Sequence, residues 1–237
     1  MDIEKEEARC EELVSRKFRE ELEINLETFD ILQFLFGGAS GRVKDIKLER
    51  YQKAHTLLYA RILEDLRAIQ ILIKKGHTPE AAIVCSALFE GSLQMQFIDS
   101  NNKRAKKWFN HKDEKRSVWP VTQLIRNLNL GAETEQLWSF LCRIKHYKSE
   151  LIAVFHLKEE TSSTLLIHPG PHLGEEDDLN KKFILIYSVT LAIEGVNEIY
   201  EQFVKYHLSP TEWVDRFRIL RKKVSGYLDL LKGKLNG

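Results

Sequence analysis

The sequence predicts an all-α protein, a single helical bundle of about seven or eight helices. Three observations carry that expectation. Glycine (12) and proline (5) are scarce in 237 residues, whereas all-β and βαβ chains need frequent turn punctuation. Apolar residues recur at three- and four-residue steps along most of the chain, the period of a helix face. Helix start and stop signals fall between those segments. A hydrophobic fraction of 43% beside 30% charged residues fits a soluble globular chain and argues against wholesale disorder or a collagen-like repeat.

The elements follow in order. In residues 3–36, Leu13, Phe18, Leu22, Leu26, Phe29, Leu32 and Phe36 keep a helical rhythm that Gly37-Gly38 should end. Ten acids against five bases in residues 2–27 make its outer face acidic, and residues 1–36 are expected to protrude from the bundle. A second helix should run from Ile46 to Lys75 and stop at Gly76. Thr78-Pro79-Glu80 is a strong helix start. The helix it opens, 79–99, is apolar on nearly all sides and therefore belongs in the middle of the bundle. Shorter helices are expected at 118–129 and 133–157, separated by Gly131. Residues 161–177 read as one irregular loop. A helix at 178–207 follows. Ser209-Pro210-Thr211-Glu212 starts the last helix, with Trp213, Phe217, Leu220, Val224, Leu228 and Leu231 on one stripe. No linker separates two cores. Residues 1–237 thus read as one domain, with a core at 46–157 and a C-terminal helical pair at 178–235.

Several function classes are disfavoured. The net charge is +1, so no global field draws the chain to nucleic acid or an anionic membrane, and a polyanion site must be a local patch. Cys10, Cys85 and Cys142 have no C-x-x-C spacing, which argues against a disulfide framework and for a reducing, cytoplasmic setting. The acidic N-terminus has no apolar signal core. The run Phe183 to Ile193 is about half a membrane span, so no membrane partner is expected. Neither G-x-x-x-x-G-K-[ST], G-x-G-x-x-G nor H-E-x-x-H occurs. His156, His168 and His172, near or in the irregular loop, match no established ligand spacing. Neither a metal nor a cofactor is expected.

Charges inside apolar stripes are more informative. Glu90 lies on the most apolar helix, at helical spacing from Ile83, Ala87, Gln94 and Phe97. A buried carboxylate needs a cation or several donors. Arg61 and Asp65 stand at i,i+4 within a stripe of Ala54, Leu57, Leu58, Ala68 and Leu72. His146 is flanked on its helix by Ser139, Cys142, Ser149 and Ala153, with Arg143 a turn earlier. Glu90, Arg143 and His146, supported by Arg61 and Asp65, form a candidate polar cluster. Arg61 is the first expected partner of Glu90, with His146 or Arg143 next. Two roles suit such a cluster. One is an ion-pair network that fixes helix register. The other is an active or ligand site in which His146 moves protons and arginine holds a phosphate or carboxylate.

The second feature is a basic run, Lys103, Arg104, Lys106, Lys107, Lys112, Lys115 and Arg116, beside Trp108, Phe109 and Trp119. Cations bind phosphates and aromatic faces stack bases. Lys103, Arg104, Lys106, Lys107 and Trp108 are therefore candidate contacts to RNA or single-stranded DNA. The alternative is a solvated helix with Trp108 and Phe109 turned to the core.

The segments Arg61-x-x-x-Asp65, Leu72-Ile-Lys-Lys-Gly76, Glu80-Ala-Ala, Ser86-Ala-Leu-Phe-Glu90, Trp108 and Leu141-Cys-Arg-Ile-Lys-His146 resemble a bacterial helical family known as a domain of unknown function, over about residues 50–150. That resemblance implies a helical fold and no particular activity. More remotely, the layout is similar to HEPN-type helical bundles, which occur in toxin–antitoxin and phage-defence systems. Their nuclease members carry Arg, four to six residues, then His near a dimer interface. Arg50–His55 and Arg104–His111 fit that spacing; Arg143–His146 departs from it. The resemblance implies a defence-type interaction or ligand-binding module with a partner protein or RNA, or a metal-independent RNase, and the dimer interface of the nuclease members makes a homodimer one candidate assembly.

Overall fold

A computed structural model describes residues 2–42, 48–112, 117–145, 157–161, 164–167, 178–205 and 211–235. The fold is an all-α bundle. Its helices are α1 (Ile3–Lys17), α2 (Arg19–Arg42), α3 (Arg50–Lys74), α4 (Thr78–Ile98), α5 (Asn102–Phe109), α6 (Val121–Asn127), α7 (Ala132–Lys145), α8 (Asp178–Lys205) and α9 (Thr211–Leu235). Two short strands, β1 (Leu157–Thr161) and β2 (Thr164–Ile167), form an antiparallel hairpin with Leu157 opposite Ile167 and Thr161 opposite Thr164. The hairpin stands where the sequence suggested a helix end and the start of an irregular loop. Thr161, Thr164 and Ile167 are β-branched, which lowers helix propensity and favours a pleated strand.

α4 occupies the centre, against α3, α5, α6, α7 and α8. Fourteen of its residues are buried, among them Ala81, Leu88, Phe89, Leu93 and Met95. Among the described residues α4 is also long and apolar enough to cross a membrane, with mean hydropathy 1.3 over its best window. Yet 67% of that window is buried inside the bundle, which is compatible with a soluble protein. The stop at Gly76 is a Schellman turn. The Gly76 amide donates to the Ile73 carbonyl and the His77 amide to Leu72, with Gly76 at φ 84°, a conformation that favours glycine.

The N-terminal region departs from the expected single protruding helix. Phe18 breaks it at φ −113°, ψ 34°, and both halves dock. α1 lies on α3, and α2 on α3, α8 and α9. Cys10, Val14, Phe18, Ile24, Ile31 and Leu32 are buried. Hydrophobic burial of about 1.5–3 kcal/mol per large side chain outweighs what a solvated acidic face would gain. α2 also continues through Gly37-Gly38 to Arg42, although each glycine costs about 1 kcal/mol of helix propensity. α9 keeps the expected stripe at Phe217, Leu220 and Val224. Buried residues of α1 through α9 join in one hydrophobic cluster.

Candidate functional site

Glu90 on α4 meets an amide of its own helix, and Arg61, its first expected partner, is paired elsewhere. Glu90 is half-buried, and its Oε1 accepts from Gln94 Nε2 at 3.0 Å. Gln94 is the hub. Its Nε2 also donates to Ser117 Oγ at 3.2 Å, and its Oε1 accepts from the Trp108 indole at 2.8 Å. One amide thus ties α4 to α5 and to the segment before α6. Among the described residues no cation lies within salt-bridge distance of Glu90.

Arg61 is committed elsewhere. Its Nε meets Asp65 Oδ1 at 2.9 Å, with the arginine side chain 62% exposed and the aspartate 5%. The expected stripe through Leu57 and Arg61 is not the core face: Leu57 is 54% exposed. The helix instead buries Leu58, Ile62, Leu66, Ile69 and Ile73, a more apolar face roughly one residue round. Asp65 sits at the edge of that face, and its Oδ2 has no hydrogen-bond partner. Burial pushes the Asp65 carboxyl up, against the pull of Arg61. The Cys85 thiol is pushed up to about 12, by burial first and then by Asp65. Asp65 thus bears on the Cys85 region of α4. The side chains of Arg143 and His146 lie outside the described residues, as do His156, His168 and His172.

The basic run forms α5, capped by Asn101, whose side chain accepts from the amides of Lys103 and Arg104. Trp108 turns inward to Gln94. Arg104 donates to the Phe97 carbonyl at 2.6 Å and stands 4.1 Å from the Phe97 ring centre. Lys103, Lys106 and Lys107 are exposed, at i, i+3 and i+4 on one face; Lys107 also lies over Trp119 at 5.6 Å. Of the two Arg-to-His spacings, Arg50–His55 ends in a sealed histidine. His55 is 1% exposed and donates from Nε2 to the Met95 carbonyl at 3.2 Å. Its Nδ1 has no partner, and burial depresses the ring to about 4. His111, the end of the other spacing, is exposed.

A groove of about 590 Å³ opens between α4, α7 and α8. Phe89, Leu93, Leu137, Phe140, Phe183 and Tyr187 supply much of its wall. Phe140 meets Phe183 edge-on at 6.0 Å, and Phe183 stacks on Tyr187 at 5.2 Å. Glu133 and Glu194 stand in the lining. A second cavity of about 710 Å³ adjoins it and shares Gln96, Thr190, Glu194 and Leu228. That cavity adds Arg218, Arg221 and Lys222 from α9.

Residues 52–150 match the model of a family of unknown function, DUF5677. The match falls on the segment that resembled an uncharacterised helical family. No curated protein and no solved structure matches the chain. The matched segment runs through α3, α4, α5, α6 and α7 and so carries the Gln94 hub and the α4 and α7 walls of the groove. The α8 wall, with Phe183, Tyr187 and Glu194, lies beyond it. Sequence reasoning did not assign these three residues to a site. Their signal was an aromatic pair at i,i+4 at the head of an apolar run that ends in an acid. Only the pairing of α8 with α4 and α7 turns that run into a wall.

Proposed function

We propose that this chain is a ligand-binding helical module whose site is the groove between α4, α7 and α8. The observation that carries the reading is the groove itself, about 590 Å³, apolar and aromatic in lining with a few polar groups. Small-molecule sites have that size and that composition. The remote resemblance to HEPN-type bundles supports a place in a bacterial defence-type system, where a bound small molecule could control a partner protein. The test is titration with N-phenyl-1-naphthylamine, a neutral dye whose fluorescence rises in apolar surroundings. Saturable binding of one dye per chain is expected. Thr134→Trp, at the α7 lip of the groove, should weaken it tenfold or more while the far-UV circular dichroism stays unchanged. Dye binding that does not respond to Thr134→Trp overturns the reading.

A second reading is RNA contact through α5, favoured by Lys103, Lys106 and Lys107 on one exposed face. In its RNase form Glu90 would assist Arg143 and His146, with arginine stabilising phosphorane charge and histidine moving protons. Incubation with tRNA and mixed RNA, with and without a chelator, tests it. Cleavage that survives chelation and disappears in His146→Ala supports the enzyme. Intact RNA with the native chain removes it.

A further inference from the structure

Acids and bases are unevenly shared between the groove and the cavity beside it, with Glu194 lining both. Glu133 and Glu194 line the groove, and among the described residues no Lys or Arg does. The nearby cations Arg218, Arg221 and Lys222 line the adjoining cavity instead. Arg218 is paired with Asp215 at 3.2 Å, and Arg221 donates to Asn197 at 2.9 Å. Among the described residues no cation lies within salt-bridge distance of Glu194. The rings of Phe140, Phe183 and Tyr187 line the same groove. Burial raises the Tyr187 phenol, and the charges of Glu194 and Glu133 raise it further, so both carboxylates bear on the ring. Glu194 stands at the rim, where the groove walls raise its carboxyl and Arg221 opposes them. Ring faces carry negative quadrupole potential and attract cations, more strongly once water is excluded.

We propose that the groove takes an organic cation, an ammonium or guanidinium head on an apolar or aromatic body. The body lies along Leu93, Leu137 and Phe140, and the head stands over the Tyr187 face within reach of Glu194. An anion would be held beside Glu194, which has no described cation within salt-bridge distance. A neutral apolar molecule would gain the walls and nothing from the acids. This assignment rests on the groove being a ligand site, and the experiment separates the two claims.

Three probes share one body: 2-phenylethylammonium, 2-phenylethanol and 3-phenylpropionate. Each is titrated into the full chain by calorimetry at pH 7.5, with saturation-transfer NMR for weak binding. The cation should bind at least tenfold tighter than the other two. Glu194→Gln should weaken the cation at least fivefold and leave the alcohol unchanged. Thr134→Trp should weaken both. Circular dichroism and melting temperature check that each variant is folded. Equal binding of cation, alcohol and carboxylate overturns the cation assignment and leaves the groove as a site. So does cation binding that ignores Glu194→Gln. Failure of all three probes overturns the cation assignment together with the groove reading.

Discussion

His55 gives the bundle a built-in dependence on acid. The ring is sealed between α3 and α4, 1% exposed, and it stays neutral because charging it there would strand an imidazolium away from water. Its Nε2 has the Met95 carbonyl, but its Nδ1 has no partner to take a second proton's charge. The folded-state value is about 4 against 6.5 for a free histidine. The unfolded chain therefore binds the extra proton first. His55 contributes full stability above pH 6.5, and that contribution falls as pH drops through the window from 6.5 to about 4. The shift of 2.5 units, 6.5 minus 4, corresponds to about 3.4 kcal/mol at about 1.36 kcal/mol per unit. At pH 5 the loss should already be about 2 kcal/mol. Urea unfolding of the native chain and of His55→Gln, measured from pH 4.5 to 7.5, isolates the effect. Glutamine places an amide donor near the Nε2 position and does not titrate. Subtracting its curve removes the contribution of the carboxylates. A flat difference between the two chains, or an NMR titration that puts His55 near 6.5, would refute the reasoning.

Four further outcomes follow from packing and hydrogen bonds. Gln94→Leu strands the Trp108 indole and should cost about 1–3 kcal/mol, seen as a lower urea midpoint and a shifted Trp108 indole resonance. Glu90→Ala, with an amide and no described cation beside it, should cost about 1 kcal/mol, well below the 3–5 kcal/mol of a broken buried ion pair; a loss of the larger size would point to Arg143 or His146 as its partner. Glu21, 2% exposed, accepts from Lys182 and Tyr227. Although burial raises its carboxyl, these two donors win and lower it, so Glu21→Ala should destabilise most at neutral pH and progressively less as pH falls below about 4.5. Gly195→Ala puts a methyl 2.8 Å from Ser92 Oγ and 3.1 Å from Ser92 Cα; overpacking of about 1–3 kcal/mol against a propensity gain of about 1 kcal/mol should lower the melting temperature, and Ser92→Ala on that background should restore part of it.

Much of this was legible from local signals. Helix α4 was readable because Thr78-Pro79 and an all-round apolar sequence point the same way. The stop at Gly76 was readable because a left-handed backbone there favours glycine. The face of α3 was not: its sequence offers two overlapping apolar stripes, and the one carrying Ile62, Leu66, Ile69 and Ile73 wins because α4 and α8 cover it together. The break at Phe18 escaped for a related reason. The helical rhythm continues through it, and what bends the chain there is the fit of α1 and α2 to other helices. At the candidate site, the sequence marked Glu90 and Trp108 but not the amide between them. An i,i+4 neighbour on an apolar helix is a cheaper partner than a cation from another helix. It needs no second charge to be taken out of water.

The groove has a physical origin in the same contacts. At Gly195 the α8 backbone comes so close to Ser92 that a methyl does not fit without movement, and the Ser92 hydroxyl donates to the Leu191 carbonyl at 2.9 Å. That is the tight end of the α4–α8 pair. Two and three turns earlier α8 carries Tyr187 and Phe183, whose rings cannot be accommodated at such a separation. Phe183 meets Phe140 of α7 edge-on instead, with Tyr187 stacked on it, and Phe89 of α4 stacks on Trp138, 5.6 Å away. Small residues at one end and rings at the other leave a wedge that α7 lines but does not fill. The wedge is therefore set by residue size on α8, and it should persist without ligand. A binding site of that kind is largely pre-formed, so ligand binding should raise the melting temperature with little change in helix content. A large gain in circular dichroism on saturation with 2-phenylethylammonium would show that the groove is made by the ligand and that this account of its origin is wrong.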